Sequence, residues 1–156
     1  MLAIAREDPT RADVTALIAR HLAGMHENTP AESVHALDLS ALQHPDVAFW
    51  TARVGGRLAG IAATARLDDA NAELKSMRVD DAFLGRGVGR ALVRRIVADA
   101  RERGVAALWL ETGSGDDFVA ARRLYASEGF VECPPFGSYR PDPNSTFMTL
   151  GLQPSA

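Results

Sequence analysis

Hydrophobic positions along this chain change period several times, and each change predicts an element. After Thr10, "RADVTALIARHLAGM" places Val14, Leu17, Ile18, His21 and Leu22 at helical spacing, with Thr10 as its N-cap. The polar stretch that follows carries two prolines and a short apolar-spaced helix around Val34 to Leu42. "VAFWTARV" and "RLAGIAATARL" read as two strands joined by a Gly55-Gly56 hairpin turn. After the turn "DDAN", "AELKSMRV" alternates Leu74, Ser76 and Arg78 against Lys75, Met77 and Val79, as a third strand would. Val88, Leu92 and Ile96 then recur four apart, with Ala91 and Val97 widening the stripe, in a helix that Gly104 would close. "VAALWLETG" is a strand, and "GDDFVAARRLYASEGF" a second helix stopped by Gly129. "FVEC" and "STFMTL" are two final strands, separated by the proline-rich connector "PPFGSYRPDPN". The order is a helix-rich start, three strands, a helix, a strand, a helix and two strands. That order predicts a mixed α/β sheet, mostly antiparallel, in one domain over residues 1–156.

Composition narrows the function classes. Of the 156 residues 47% are hydrophobic, and the formal charge is only −3, so the chain reads as globular rather than disordered. The slight acidity argues against nucleic acid as the main partner. Cys133 is the single cysteine, which removes an intrachain disulfide, and no Cys/His cluster has zinc-ligand spacing. No apolar run approaches the length of a membrane span, and a cytoplasmic location is the expectation.

The chemistry concentrates in "LGRGVGRAL", where Gly85, Gly87 and Gly89 precede a cationic helix. A helix N-terminus carries unpaired N–H groups and partial positive charge, and glycines remove the Cβ atoms that would hold an anion off. With Arg86 between them, these glycines suit a phosphate cradle; a tight turn with close helix–strand packing is the alternative. A Walker loop is absent. A dinucleotide fingerprint fails at its third position, where Arg90 stands, although Glu111 lies roughly where a ribose-binding acid belongs, which leaves a nucleotide-dependent oxidoreductase as one alternative.

"RVDDAFLGRGVGRAL" resembles the acetyl-CoA-binding signature of the GNAT N-acetyltransferase superfamily, [Q/R]-x-x-G-x-[G/A] opening a helix after a short loop. "AARRLYASEGFVEC" resembles the family's second signature through Ala121, Leu124, Tyr125, Gly129 and Phe130. Leu84 departs where Gln or Arg is usual, and Phe118 where Asn often stands. The resemblance implies a splayed parallel strand pair with acetyl-CoA between the strands. Backbone groups near Met77 and Val79 would meet the acetyl and pantetheine portions, and the N–H groups of residues 85 to 90 (Gly85, Arg86, Gly87, Val88, Gly89, Arg90) the pyrophosphate, with Leu84 beside them.

Such a reaction moves an acetyl group from a thioester to an amine, with no metal and no covalent enzyme intermediate. The amine is mostly protonated at neutral pH, since its pKa is near ~10, so a general base is required. A backbone N–H can stabilise the oxyanion, and the departing thiolate needs a proton donor. The resemblance points to Tyr125 as that acid, and to Glu73, at the start of its strand, as base, directly or through water. Glu27, Glu32, Asp38, His26, His35 and His44 lie in the segment that covers the acceptor in this family, and Phe136, Tyr139 and Asn144 could form an acceptor wall. The expected partner is a small-molecule or peptide amine, and a homodimer is common in the family. A coenzyme A-binding regulatory module without turnover is the alternative from another class.

Overall fold

The alternating runs pair side by side into one seven-stranded sheet, in a computed structural model that describes residues 1–28 and 39–152. The strands are β1 (Leu2–Arg6), β2 (Val47–Val54), β3 (Arg57–Arg66), β4 (Asn71–Val79), β5 (Ala107–Gly113), β6 (Val131–Glu132) and β7 (Ser145–Gly151). Their spatial order is β1-β2-β3-β4-β5-β7-β6. Every neighbouring pair is antiparallel except β4 and β5, which run parallel. The expected mixed, mostly antiparallel sheet with one parallel pair is what the fold contains. A parallel pair needs a crossover, and α3 (Val88–Glu102) supplies it. The remaining helices are α1 (Ala12–Asn28), α2 (Leu39–Leu42) and α4 (Val119–Ser127). Of the expected short helix, Leu39 to Leu42 is seen; Val34 and the candidates Glu32, His35 and Asp38 lie outside the described residues.

Each face of the sheet carries its own apolar cluster. On one face, Val14, Leu17 and Ile18 of α1 and Leu42 of α2 bury against Phe49, Ile61 and Ala63. On the other, Val88, Leu92, Val93, Ile96 and Ala100 of α3 pack with Tyr125 against Trp50, Leu74, Leu108, Leu110 and Met148. The α3 stripe is the expected one, widened by Val93 more than by Ala91 and Val97, which are half-buried. Four aliphatic side chains buried at ~1.5–3 kcal/mol each outweigh the ~1 kcal/mol that each nearby glycine costs in chain entropy. That balance lets the helix begin behind so permissive a loop. One further close approach is built in: a Cβ on Gly60 would stand 3.0 Å from Val88 Cγ1, so α3 rests directly on the β3 backbone.

Three expectations need correction. The chain opens with a strand, β1, before its first helix. Thr10 does not cap α1, which begins at Ala12; its hydroxyl instead donates to Asp8 at 2.8 Å. The alternation through "AELKSMRV" breaks at Ser76, whose φ is 55°, the one positive value among the described non-glycine residues. Ala63 faces Lys75 while Ile61 faces Arg78, so β4 holds one residue more than β3 over that stretch. This bulge reverses parity: beyond it Arg78 shares a face with Lys75, and Val79 shares the α3 face with Leu74.

Candidate active site

β4 and β5 pair from Asn71↔Ala107 to Leu74↔Leu110 and then part. Both strands continue, β4 to Val79 and β5 to Gly113, so a gap opens between them on the C-terminal side of that last rung. β5 stays paired with β7 to Gly113↔Ser145, and β4 stays paired with β3, so each wall of the gap is held from behind. At the far end of β5, Arg122 of α4 donates to the carbonyls of Gly113 (2.6 Å) and Gly115 (3.0 Å). Phe118 lies so close over Gly113 that a Cβ there would overlap its ring. The arginine satisfies the carbonyls of the strand end and the aromatic ring covers it, where the family pattern often has an asparagine.

The glycine loop closes one end of the gap. Gly85 and Gly87 have φ of 76° and 78°, and a Cβ on either would meet nothing within 4 Å, so the space above the loop is open. Gly87 is the N-cap of α3 and offers no side-chain cap. The first intrahelical bond is Ala91 N–H to Gly87 C=O at 3.0 Å, which leaves the N–H groups of Val88, Gly89 and Arg90 without helix acceptors. Gly89 differs from its two neighbours. A Cβ there would stand 3.1 Å from Leu124 Cδ2 and 3.2 Å from Met77 Cε, so its bareness lets α3 touch both α4 and β4. Val88 is buried in the core, and Met77 and Val79 are half-buried against the same cluster. Leu84 is exposed beside the loop. The Arg86 guanidinium stacks 5.4 Å from the Phe83 ring, with Arg57 at 5.2 Å from the same ring. Arg90 and Arg94 are both ion-paired to Glu128, so the Arg90 side chain is committed to α4 while its N–H faces the loop.

The acidic side chains lie nearer the last rung. Glu73 pairs in register with Trp109, so Glu73, Lys75, Trp109 and Glu111 share the α1 face of the sheet. Glu73 is buried and accepts a hydrogen bond from the Tyr139 hydroxyl at 2.6 Å. The Lys75 ammonium lies 3.8 Å from the same carboxylate oxygen. Glu111 is the first residue of β5 past the final rung, at the mouth of the gap. Burial pushes its carboxyl up to about 6; the Ser145 hydroxyl, donating at 2.7 Å, opposes the rise, and the charge of Glu73 adds to it. Tyr125 comes from α4 on the opposite face. It is buried in edge contact with Phe130 at 5.8 Å, and no described residue hydrogen-bonds its hydroxyl. Burial, and to a lesser degree the Glu111 charge, hold its phenol well above the ordinary range. Burial likewise raises Tyr139, with the Glu73 charge and hydrogen bond adding.

At the opening past the last rung, Glu111 feels the charge of Glu73 on the α1 face, and its own charge acts on Tyr125 from the other face. Sequence reading missed Glu111 as a partner there, although a glutamate inside an otherwise apolar strand was a usable signal. It also could not connect Tyr139 to Glu73, 66 positions apart. The other two proposed wall residues differ in placement. Phe136 is buried, 5.5 Å from the Trp109 ring and 5.9 Å from that of Phe147, and the Asn144 N–H donates to Asp142. Among the described residues no group of three or more His, Cys, Asp or Glu side chains is placed to hold a metal ion, and no described helix is long and apolar enough to cross a membrane.

A family model described as the acetyltransferase (GNAT) family matches residues 15–130. The chain is 45% identical over 152 residues to an uncharacterized N-acetyltransferase, YedL, of Escherichia coli (strain K12), covering 97% of this chain and 96% of that protein. It is 42% identical over 154 residues to the IAA acetyltransferase of Azospirillum brasilense, covering 96% and 97%. Among solved structures, an aminoglycoside 6'-N-acetyltransferase complexed with coenzyme A superposes with a TM-score of 0.71 over 99% of both chains. At 16% identity that likeness concerns the fold alone.

Proposed function

This chain belongs to the acetyltransferase (GNAT) family and is an acyltransferase, and from that premise we propose that it carries an acetyl group from acetyl-CoA to a primary amine on a small molecule or peptide. The observation that carries the reading is the parting of β4 and β5 after Leu74↔Leu110, with uncapped α3 amides on one side and two carboxylates and a phenol near the mouth. Acetyl-CoA supplies an activated acyl thioester. The amides of Val88, Gly89 and Arg90, together with the Gly85–Gly87 turn, bind its diphosphate, because nothing else in the loop answers them and no side chain blocks the approach. The edge of β4 around Met77 and Val79, released from β5, lies along the pantetheine path, and the bulge at Ser76 turns that edge toward the gap.

Glu73 and Glu111 receive the proton that the amine must shed. A pair of interacting carboxylates binds a proton more readily than either would alone. With Glu111 raised to about 6, that proton affinity approaches the working pH of a general base. Tyr125 donates from the other wall to the departing sulfur. A coenzyme A-binding module without turnover has no use for a buried carboxylate and a buried phenol whose desolvation opposes stability, and their convergence favours the enzyme.

Two measurements test this. Thiol release from acetyl-CoA is expected to require both the protein and an added primary amine; acetyl-CoA binding with no amine-dependent release across a broad panel would favour the silent module. Gly87→Ala is expected to introduce ~1–2 kcal/mol of left-handed backbone strain, and to put a methyl group into the open space above the loop. We expect KM for acetyl-CoA to rise about tenfold with kcat changed less than about twofold, the signature of a lost binding contact. Steady-state kinetics with acetyl-CoA varied checks it.

A further inference from the structure

We infer that the acceptor amine also carries a carboxylate, which Arg140 holds across a pocket from the Glu73–Lys75 pair. The inference deepens the transferase reading and rests on it. A cavity of about 460 Å³ lies on the α1 face of the sheet, over β4 and beneath the connector between β6 and β7. That size suits a small molecule. Its walls include Leu67, Glu73, Lys75, Tyr139, Arg140 and Asp142.

The charges around it are not equivalent. Glu73 is buried, bonded by Tyr139 and approached by Lys75. Asp142 is drawn into its own turn, where Oδ1 accepts the N–H of Asn144 at 2.8 Å. Lys75 leans on both the Glu73 carboxylate at 3.8 Å and the Tyr139 hydroxyl at 3.4 Å, neither a short charge-assisted contact. Arg140 makes no ion pair with any described residue, and its guanidinium offers a fork of donors that matches a carboxylate. The connector that presents it is anchored. Phe136 and Tyr139 meet edge to face at 5.1 Å, and Tyr139 packs 5.4 Å from Phe147 on the sheet, so the residue next to Arg140 has a fixed seat.

An acceptor that is only a cation would meet Lys75 and Arg140 as like charges, and a polyamine would do so more than once. A neutral-tailed amine would find Glu73 and Glu111 but leave Arg140 unanswered. A zwitterion satisfies both walls at once: its ammonium turns to the carboxylates at the mouth of the gap and its carboxylate to Arg140.

The experiment uses the full chain, saturated with acetyl-CoA, and matched acceptors: each common amino acid, its carboxamide, its decarboxylated amine, and spermidine as a polycation. The best acid is expected to exceed its neutral and decarboxylated partners by about tenfold or more in kcat/KM, the scale of one charge-assisted contact. Arg140→Gln is expected to erase that lead by raising KM for the acid alone. Arg140→Lys should restore part of it, and the decarboxylated amine should change less than about twofold in either variant. A neutral amine or spermidine in first place would overturn the inference, as would an Arg140→Gln effect equal on all acceptors. So would the absence of any turned-over acid by an enzyme that still binds acetyl-CoA in calorimetry. Failure to bind acetyl-CoA at all would remove the transferase reading, and this inference with it.

Discussion

Glu111→Gln is expected to make the protein more stable at pH 7 and about a hundredfold slower, and the two effects have one origin. The native carboxyl is raised from 4.5 to about 6, chiefly by burial. A raised carboxylate means that the folded state binds its proton more tightly than the unfolded state does. The stabilisation is therefore fully present below pH ~4.5 and is lost as pH rises through about 6. At pH 7 the loss is complete, and it amounts to about 2 kcal/mol as an upper bound. Glutamine removes the charge, and its amide oxygen can still accept from Ser145, now 2.7 Å from the carboxylate. The variant should melt several degrees higher at pH 7, by roughly 5 °C, and no higher at pH 4. Activity moves the other way, because an amide takes no proton from the ammonium. The deficit should shrink toward pH 9–10, where free amine is plentiful, and the acid limb of the wild-type profile near 6 should vanish. Melting curves at pH 4 and 7, beside a pH–rate profile, read both effects. A variant no more stable at pH 7 and no slower would show that Glu111 is neither desolvated nor engaged.

Much of this architecture was legible because it depends on short-range pattern. The period-two runs gave β2, β3 and β5, and the four-apart row Val88, Leu92, Ile96 gave α3 with its buried face. What was missed has physical causes. β1 is five residues long, at an edge, and only Leu2 and Ile4 pack against the core, so its alternation is too brief to stand out. The bulge at Ser76 leaves no mark in composition: a strand with one extra residue still reads as a strand until its partner β3 is known. The loop glycines were read as one group, but Gly85 and Gly87 provide positive φ and open space while Gly89 provides contact. Glu111 was weighed only as a ribose-binding acid. The role proposed for it depends on where β5 leaves β4, which is a property of the pair and not of either strand.

Tyr125→Phe is the sharpest separation of chemistry from binding at this site. The ring is buried and packs on Phe130, and phenylalanine keeps that contact. Only the hydroxyl is lost, and no described residue hydrogen-bonds it, so the fold should not suffer. Losing a buried polar group without a protein partner should leave the melting temperature unchanged or slightly raised. The phenol is held above its ordinary ~10, so it stays protonated at any working pH, and it is a weaker acid than a thiol of ~8.5. Completed proton transfer to the departing sulfur would therefore run uphill, and the contribution we propose for Tyr125 is a hydrogen bond that strengthens as negative charge gathers on sulfur. An interaction that grows along the reaction lowers the barrier without tightening the ground state. Removing it should reduce kcat by about a hundredfold, close to 3 kcal/mol, while KM for acetyl-CoA changes less than about threefold. Because the phenol does not titrate in the range, the deficit should be flat from pH 6 to 9, unlike that of Glu111→Gln. Full activity in the variant, or a loss confined to KM, would leave Tyr125 as a core residue and move the donor elsewhere.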